Sequence, residues 1–579
     1  MAARPLETLL RGLLLRGDGA PRQFAGWAVF RGGTGAPRGW ARRLLFRKNG
    51  QARGRFDRDL QDFLNAVPLA RWIAAHDTPG AGALRRLAQR GEGLPPLPVL
   101  IEVDGREDAA SLMRMAKALG TCVGRRLDPI PVASATAATM EAVERAFGRP
   151  ALPLPELDLA PGPVLILLRG ALPRAHGPAV LVEALARAPG ATIAYGDEAD
   201  LLPWGGLANP WFKPPSPSPL LASQGGLLGN LVAVDLARAP GLLAEAGRSG
   251  FRAALAGLAG GLPADEVRPV STVVALNTLP ALPPLPLALP ALPAVLPTVS
   301  IIIPTRDGWT FLGPCLASLE TTDWPRERLE IIVVDNGSTE AETLAGLAEA
   351  EAAGRIRVIR DASPFNYARI NNRAAAVAKG SLLVFLNNDT TVRQADWLRR
   401  MAALALRPGT GIVGTKLLYA DGTVQHAGLV LGMHGGAAHV FVGIGAEAGG
   451  YGDLALQTRE VSVVTAACVA IAGATFEAVG GFNEDFAVAY NDVVLCADLI
   501  AAGRTNYCLA EPLFHHYESK TRGQEHRPDR VARERDEARR AVALHPGLFG
   551  ADPFYSACLS LDVPYGLAEP PRRVAPWAE

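Results

Sequence analysis

The sequence predicts an α/β protein of at least two domains, and three observations carry that prediction. The chain has 579 residues, more than one hydrophobic core organises. Short apolar runs alternate with stretches of helical period twice over, first within residues 98–195 and again from Val299 onward. Between them stands "TLPALPPLPLALPALPAVLP", residues 278–297, with seven prolines in twenty positions. Proline removes backbone donors and favours extended polyproline geometry, so this stretch reads as a semi-rigid linker lying against a domain surface. The expected divisions are a basic, partly helical arm (1–92), an α/β domain (93–277), the linker (278–298), a second α/β domain (299–520) and a helical or extended tail (521–579).

Bulk composition narrows the function classes. A net charge of +1 with 20% charged residues is not that of a polyanion-binding chain. Six cysteines are scattered without a CxxC pair, several inside apolar runs, which fits small core residues in a reducing cytosol rather than a disulfide or zinc framework. Arg11 interrupts "LETLLRGLLLRG", and no run reaches the roughly 20 apolar residues of a membrane span. A cytoplasmic protein is expected, soluble or peripheral on the inner membrane. Residues 1–58 hold thirteen Arg/Lys against Glu7, Asp18 and Asp57, with aromatics such as Trp27 and Trp40 interleaved. That segment reads either as a solvated arm or as a surface for anionic headgroups. No nucleic-acid motif accompanies it.

In the first domain, "PVLIEV" (98–103) reads as a strand and "DAASLMRMAKALG" after it as a helix. "PVLILL" (163–168) and "ATIAY" (191–195) are further strands, with a helix near 178–188 between them. From Val299 the pattern is regular. "VSIII" is a strand. Leu312, Cys315, Leu316 and Leu319 fall at i, i+3, i+4, i+7 of a helix in which Pro314 is tolerable only in the first turn. "EIIVVD" (330–335), "IRVI" (356–359) and "LLVFL" (382–386) are strands, and a helix over 366–379 is closed by Gly380. Such alternation implies a doubly wound, mostly parallel sheet, whose ligands bind beyond the carboxyl ends of the strands.

Polar groups stand at those ends. The first strand runs into Pro304, Thr305 and Asp307, the second into Asp335-Asn336-Gly337-Ser338, and the fourth into Asn387-Asn388-Asp389. Each alone is a common turn. Several along one sheet edge suit oxygen ligation of a metal and a nucleotide. Further on, Asn491-Asp492 precedes a helix, where Asp492 alone reads as an N-cap, and "FHHYES" (514–519) follows a short strand.

Residues 299–520 resemble the inverting glycosyltransferase family 2, which has a GT-A fold. The matching stretches are "VSIIIPTRDG", "VVDNGST", "FNYARINN", "VFLNNDT", "GTVQHAGLV", "GGFNEDFAVAYNDVVLC" and "HYESKTRG". The nearest likeness is the branch that builds bacterial surface polysaccharides, often with deoxysugars such as rhamnose. The resemblance implies a UDP- or dTDP-sugar donor, a glycan or lipid-linked acceptor and a Mg²⁺ or Mn²⁺ ion. It implies that Asp335 hydrogen-bonds the base with Pro304 and Thr305 framing it, and that Asp307, Asn372 and Asn388 also serve the nucleotide sugar. "NND" stands at the family's DxD position, so Asp389 would bind the metal, with His516 completing the shell. Asp492 would be the general base that deprotonates the acceptor hydroxyl. The chain departs from the pattern at Asn387 (the first DxD acid), at Val494 (a third acid) and at Ala374 (a glycine).

The first domain resembles a worn copy of the same unit. "PVLILLRGALPR", "ATIAYGDEADLL" and "NPWFKPPSPSPLL" follow the order seen around the DxD strand in tandem enzymes of this family, yet the triplet position holds Leu168-Arg169-Gly170, which cannot bind a cation. The alternative is an unrelated α/β domain whose Asp197, Glu198 and Asp200 are solvated loop acids. For the whole chain, the rival reading is a pseudo-glycosyltransferase that binds a sugar nucleotide as a scaffold. A nucleotidyltransferase lacks its Gly-rich basic loop here, and no GxGxxG follows a strand as an oxidoreductase requires.

Overall fold

The computed structural model describes residues 68–578 except 104, 106, 134–136, 158 and 518–527. The basic 1–58 segment and "ESKTRG" (518–523) lie outside the described residues.

Two mixed α/β sheets dominate. The first contains β1 (Leu97–Val103), β2 (Leu127–Ala133), β3 (Pro163–Leu167), β4 (Leu172–Pro173), β5 (Ile193–Leu201), β6 (Leu207–Trp211), β7 (Leu231–Asp235) and β8 (Val267–Asn277). Its order is β2-β1-β3-β7-β5-β8-β4, with β6 on β5. The second holds β9 (Val299–Thr305), β10 (Leu329–Asp335), β11 (Arg357–Arg360), β12 (Leu382–Leu386), β13 (Thr390–Val392), β14 (Thr410–Leu418) and β15 (Val424–His426). After a separate ribbon of β16 (Leu429–Leu431) and β17 (Ala437–His439), it is completed by β18 (Arg459–Val461), β19 (Cys468–Ala472) and β20 (Thr505–His516). Its order is β11-β10-β9-β12-β19-β14-β20-β13. The expected parallel block is β11-β10-β9-β12; beyond β12 the sheet is mixed, because β19 runs antiparallel to its neighbours.

Every strand of the first sheet has a counterpart in the second, which adds β11 and β18. Parallel pairs β1–β2, β1–β3 and β5–β8 match β9–β10, β9–β12 and β14–β20. Antiparallel pairs β3–β7, β5–β7, β5–β6 and β4–β8 match β12–β19, β14–β19, β14–β15 and β13–β20. Registers agree too: Val103 pairs with Ala133 as Thr305 pairs with Asp335. Leu168 N donates to Asn230 O (2.8 Å) just as Asn387 N donates to Ala467 O (2.9 Å).

Local chemistry explains the elements. All five residues of β12 are buried, as an apolar run covered on both faces requires. The helix Trp309–Leu319 buries Leu312, Cys315, Leu316 and Leu319 as the spacing predicts. Pro314 lies deeper than the first turn, contrary to expectation. The carbonyl it leaves without a partner belongs to Thr310, on the exposed side. The next helix is Tyr367–Ala375, capped by Asn366, whose side chain accepts from Arg369 N; it ends before Gly380. Gly380 is needed for another reason: a Cβ there would lie 2.3 Å from Ser300 N.

One hydrophobic cluster spans both halves, beside clusters that lie almost wholly within one half. Trp72, Phe212 and Leu227 cluster with Leu418, Val440 and Phe441 of the second half. Glu460, buried, accepts from Leu220 N (2.7 Å) and Leu221 N (3.2 Å) across the boundary. Within 68–92 the chain packs on the first domain: Trp72 Nε1 donates to Ala568 O, and buried Asp77 pairs with Arg174 (2.7 Å) and Arg573 of the tail. The proline segment is held by arginines on its bare carbonyls, Arg169 on Pro280, Arg252 on Pro283 and Arg328 on Leu296. All six cysteines are free and five are buried. Among the described residues, no helix is long and apolar enough to cross a membrane.

Candidate active site

Thr305, Asp335 and Asn387 end or follow three adjacent parallel strands, so they share one edge of the second sheet. Asn388 Nδ2 donates to Thr305 Oγ1 at 2.9 Å, joining the first and fourth strand ends. The triplet is also a turn, since Thr390 Oγ1 donates to Asn387 O at 2.9 Å. Thr390 then pairs with His516 in β20, and Tyr517 N donates to Asp389 O. This places His516 Nε2 3.2 Å from Asp389 Oδ1, both side chains being less than a tenth exposed. Asn387 Nδ2 stands 3.4 Å from the same Nε2.

Asp492 is not the N-cap expected of it. Tyr490 occupies that position at φ 59°, and Asp492 is the second residue of the helix Asn491–Ala501. Its Oδ1 accepts from Val493 N (2.9 Å) and its Oδ2 from Ala466 N (3.1 Å). Tyr490 is fixed in its strained turn by Ala437 N, which donates to its hydroxyl.

One short segment, Thr465–Cys468, organises these pieces. Ala466 holds Asp492, Ala467 O holds Asn387, Cys468 opens the strand beside Leu386, and Thr465 N points at His426 Nε2 (3.4 Å). His426 went unassigned in the sequence. It is buried, and Gly428 N and Thr465 N both face its Nε2, so Nδ1 carries the hydrogen shared with His439 Nδ1 at 3.0 Å. Burial, then His439 and Arg459, hold it well below the usual histidine range, so it is neutral. The only sequence signal was its place in "GTVQHAGLV".

The remaining predicted residues have other partners. Asp335 is fully buried, with Oδ1 accepting from Ser338 N (2.9 Å) and Oδ2 paired with Arg360. Asp307, at φ 54°, accepts from Thr339 N and Glu340 N (2.7 and 2.9 Å), which hold its carboxyl below the usual range. It joins the loop after β9 to the loop after β10. Asn372 hydrogen-bonds both backbone groups of Phe482 (2.8 and 2.9 Å), anchoring the loop that leads to Asp492. Pro304 is half-buried in β9.

Among the described residues, no cluster of three or more metal-ligating side chains occurs. The Asp389–His516 pair nevertheless fits a shared cation: a buried carboxylate oxygen and an imidazole nitrogen converge to 3.2 Å and would offer it one oxygen and one nitrogen ligand. Two protein ligands suit an ion held jointly with substrate phosphate oxygens.

Residues 300–462 match the family model described as "Glycosyl transferase family 2". The chain is 43% identical over 238 residues to "Uncharacterized protein y4gI" of Sinorhizobium fredii (strain NBRC 101917 / NGR234), covering 40% of this chain and 26% of that protein. It is 40% identical over 246 residues to "O-antigen biosynthesis protein RfbC" of Myxococcus xanthus, covering 42% of this chain and 19% of that protein. The chain thus spans about a quarter or less of the length of these relatives. A mannosyltransferase from Pyrobaculum calidifontis, solved with GDP-Man and Mn²⁺, aligns over 46% of this chain and 74% of its own at 18% identity and a TM-score of 0.34, which adds nothing to the topology above. The stretch that supplies β9 through β18, and with it Thr305, Asp335 and Asp389, is the stretch that carries the likeness to glycosyltransferase family 2.

Proposed function

We propose that the chain is an inverting glycosyltransferase that moves a sugar from a nucleotide-diphosphate donor to a hydroxyl of a glycan or lipid-linked acceptor in surface-polysaccharide assembly. One observation carries the reading: the buried Asp389–His516 pair, 3.2 Å apart, stands at a strand-end edge tied through Ala466–Ala467 to the Asp492 carboxylate. The match of residues 300–462 supports the reaction class, and the O-antigen relative supports the pathway.

Asp492 accepts the proton of the acceptor hydroxyl. The freed oxygen attacks the anomeric carbon from the face opposite the leaving group, the bond to the diphosphate oxygen breaks, and configuration inverts. A carboxylate in that role contributes ~10²–10⁴-fold. Asp389 and His516 would hold a Mg²⁺ or Mn²⁺ ion, whose charge would offset that of the departing diphosphate. Asn388 and Thr305 position the donor, and Asp335 meets the base of a UDP- or dTDP-sugar once Arg360, largely exposed, moves aside.

The first domain is proposed as a degenerate copy of the catalytic one. The shared pairing order and register of the eight common strands support this: Val103, Ala133, Gly170 and Asn277 stand at the register of Thr305, Asp335, Asp389 and His516. Contact with the cytoplasmic membrane face through residues 1–58, thirteen basic residues against three acids, is proposed on charge alone. Sedimentation with anionic vesicles, weakened by salt and by deletion of 1–58, tests it; equal binding to neutral vesicles refutes it.

The test of the main reading is hydrolysis of a UDP-, dTDP- and GDP-sugar panel. Release of nucleoside diphosphate should need added Mg²⁺ or Mn²⁺ and stop in chelator. Metal-dependent donor binding without any turnover would mark the chain as a non-catalytic sugar-nucleotide binder.

A further inference from the structure

A cleft of about 740 Å³ opens on the first half, at the sheet edge that corresponds to the candidate active site of the second. Arg169 and Asn277 line it, at the register of Asn388 and His516. Gly170 takes the place of Asp389, so the cation ligands are gone. The space has not been filled with apolar side chains, as an idle site would permit. We propose that this cleft is a saccharide-binding site that works without metal.

Three independent features support the assignment. The first is the chemistry of the walls. Trp211, partly exposed, stands against Tyr451 (centroids 5.4 Å); Tyr565 is held between Tyr451 (4.6 Å) and Phe441 (4.9 Å), so the stack backs Trp211, which is the aromatic surface left to the cleft. Flat aromatic surface meets the C–H face of a pyranose, while planar carboxylates and amides meet its hydroxyls. Such groups stand ready: Asn230 Nδ2 donates to Asn277 Oδ1 (2.9 Å), and Asn277 Nδ2 to Glu198 Oε2 (3.1 Å), so the row is already ordered. Glu198 is buried in β5, not solvated in a loop.

The second is an unmet acceptor. Gln457 lines the cleft and is 1% exposed, and its Oε1 has no hydrogen-bond partner among the described residues. A buried carbonyl oxygen of this kind is costly unless something donates to it. A sugar hydroxyl is a donor of the right size.

The third is strain. Eight non-glycine residues of the described chain have positive φ, and four of them line this cleft: Arg169 (50°), Asn209 (44°), Asp453 (57°) and Tyr565 (56°). Two others, Asp307 and Tyr490, serve the candidate active site. Strained backbone persists only where the surrounding structure over-determines it, and such residues cluster at active sites and ligand clamps.

The walls come from both halves and the tail, and the wall segment around Gln457 continues to Arg459, which donates to Ala427 O beside His426. The bound saccharide is therefore assigned as the acceptor or product glycan, an identification that rests on the glycosyltransferase reading, whereas saccharide binding itself does not.

The experiment uses the full chain and mono- to tetrasaccharides of glucose, galactose, mannose, rhamnose and N-acetylglucosamine, with UDP as a separate probe. Saturation-transfer NMR reports contact and titration calorimetry the affinity. At least one saccharide should bind in the presence of chelator, at least tenfold more weakly in Trp211→Ala and in Gln457→Leu, and unchanged in Asp389→Ala. Gln457→Leu keeps the bulk of the wall, and circular dichroism establishes that both variants fold. No binding by any probe sugar, binding untouched by both cleft variants, or binding abolished by Asp389→Ala would each overturn the proposal. So would chelator-insensitive UDP binding that is lost in Trp211→Ala. None of these readouts depends on turnover, so failure here and failure of the catalytic reading are distinct results.

Discussion

Asp492 already accepts two backbone N–H groups, one on each oxygen, and a carboxylate has lone pairs for about four. An acceptor hydroxyl can therefore join without displacing the contacts that aim the group. Asp492→Asn keeps the size and one accepting oxygen but removes the basicity. Turnover should fall by ~10²-fold or more while donor affinity, measured by calorimetry, stays within a few-fold. Near-normal turnover would sink the assignment. Asp389→Ala should act differently, weakening donor binding in a metal-dependent way; an equal loss with and without metal would show that Asp389 serves only packing. At this scale the sequence was uneven in what it revealed. Asp389 and Asp492 could be singled out as candidates because they sit in contiguous motifs. Asn372, assigned to the nucleotide sugar by resemblance, could not be read as a loop anchor, because its partner Phe482 is 110 residues away and a helical Asn gives no hint of it. His426 was passed over because nothing local to "GTVQHAGLV" brings it beside His439 and Thr465.

Glycines show how element packing differs from element propensity. Gly380 lies just before β12 and against the start of β9, and an added Cβ would strike Ser300 N. Gly247 sits inside the helix Leu242–Ser249 with nothing within 4 Å. Gly380→Ala should cost ~1–3 kcal/mol or more, whereas Gly247→Ala should stabilise by ~0.5–1 kcal/mol. Urea midpoints of the two variants test this, and equal shifts would refute it. The sequence placed Gly380 at a helix end because Gly after a helical run has that meaning most often; only the neighbouring strand supplies the true reason. The tail gives a second element-scale prediction. Asp552 clamps it to the second half by accepting from Leu431 N and Ser462 Oγ, and burial raises its carboxyl to about 6. The folded state thus keeps a proton that the unfolded state releases near pH ~3.9. Stability from this group is complete below that value and declines as pH rises through about 6. Asp552→Asn should flatten that decline between pH 4 and 7 in urea titrations; parallel wild-type and variant curves would overturn it.

At the scale of the molecule, the alternation of runs and the proline segment suggested two domains joined by a semi-rigid linker lying against a domain surface. The strands β1, β3, β5 and β9–β12 were legible, since buried runs such as "LLVFL" announce themselves, whereas short strands such as β4, β13 and β18 were not. Nor was the union of the two halves, because it depends on contacts hundreds of residues apart. Leu220 and Leu221 reach Glu460, Phe212 N reaches Tyr451, and Asp77 is caught between Arg174 and Arg573. Glu460 is buried, and burial raises its pKa, so removing its two donors would leave an expensive unpaired group. Phe441 and Leu418 would likewise lose the first-half side chains that cover them. The halves should therefore unfold together. Calorimetry of the full chain should give one transition whose calorimetric and van't Hoff enthalpies agree, unusual for a chain of this length. A fragment beginning at Thr298 should melt well below the full chain or aggregate, because it exposes the apolar surface around Phe441. Two resolved transitions, together with a fragment that melts at the temperature of one of them, would show that the shared core contributes little and that the two domains are independent after all.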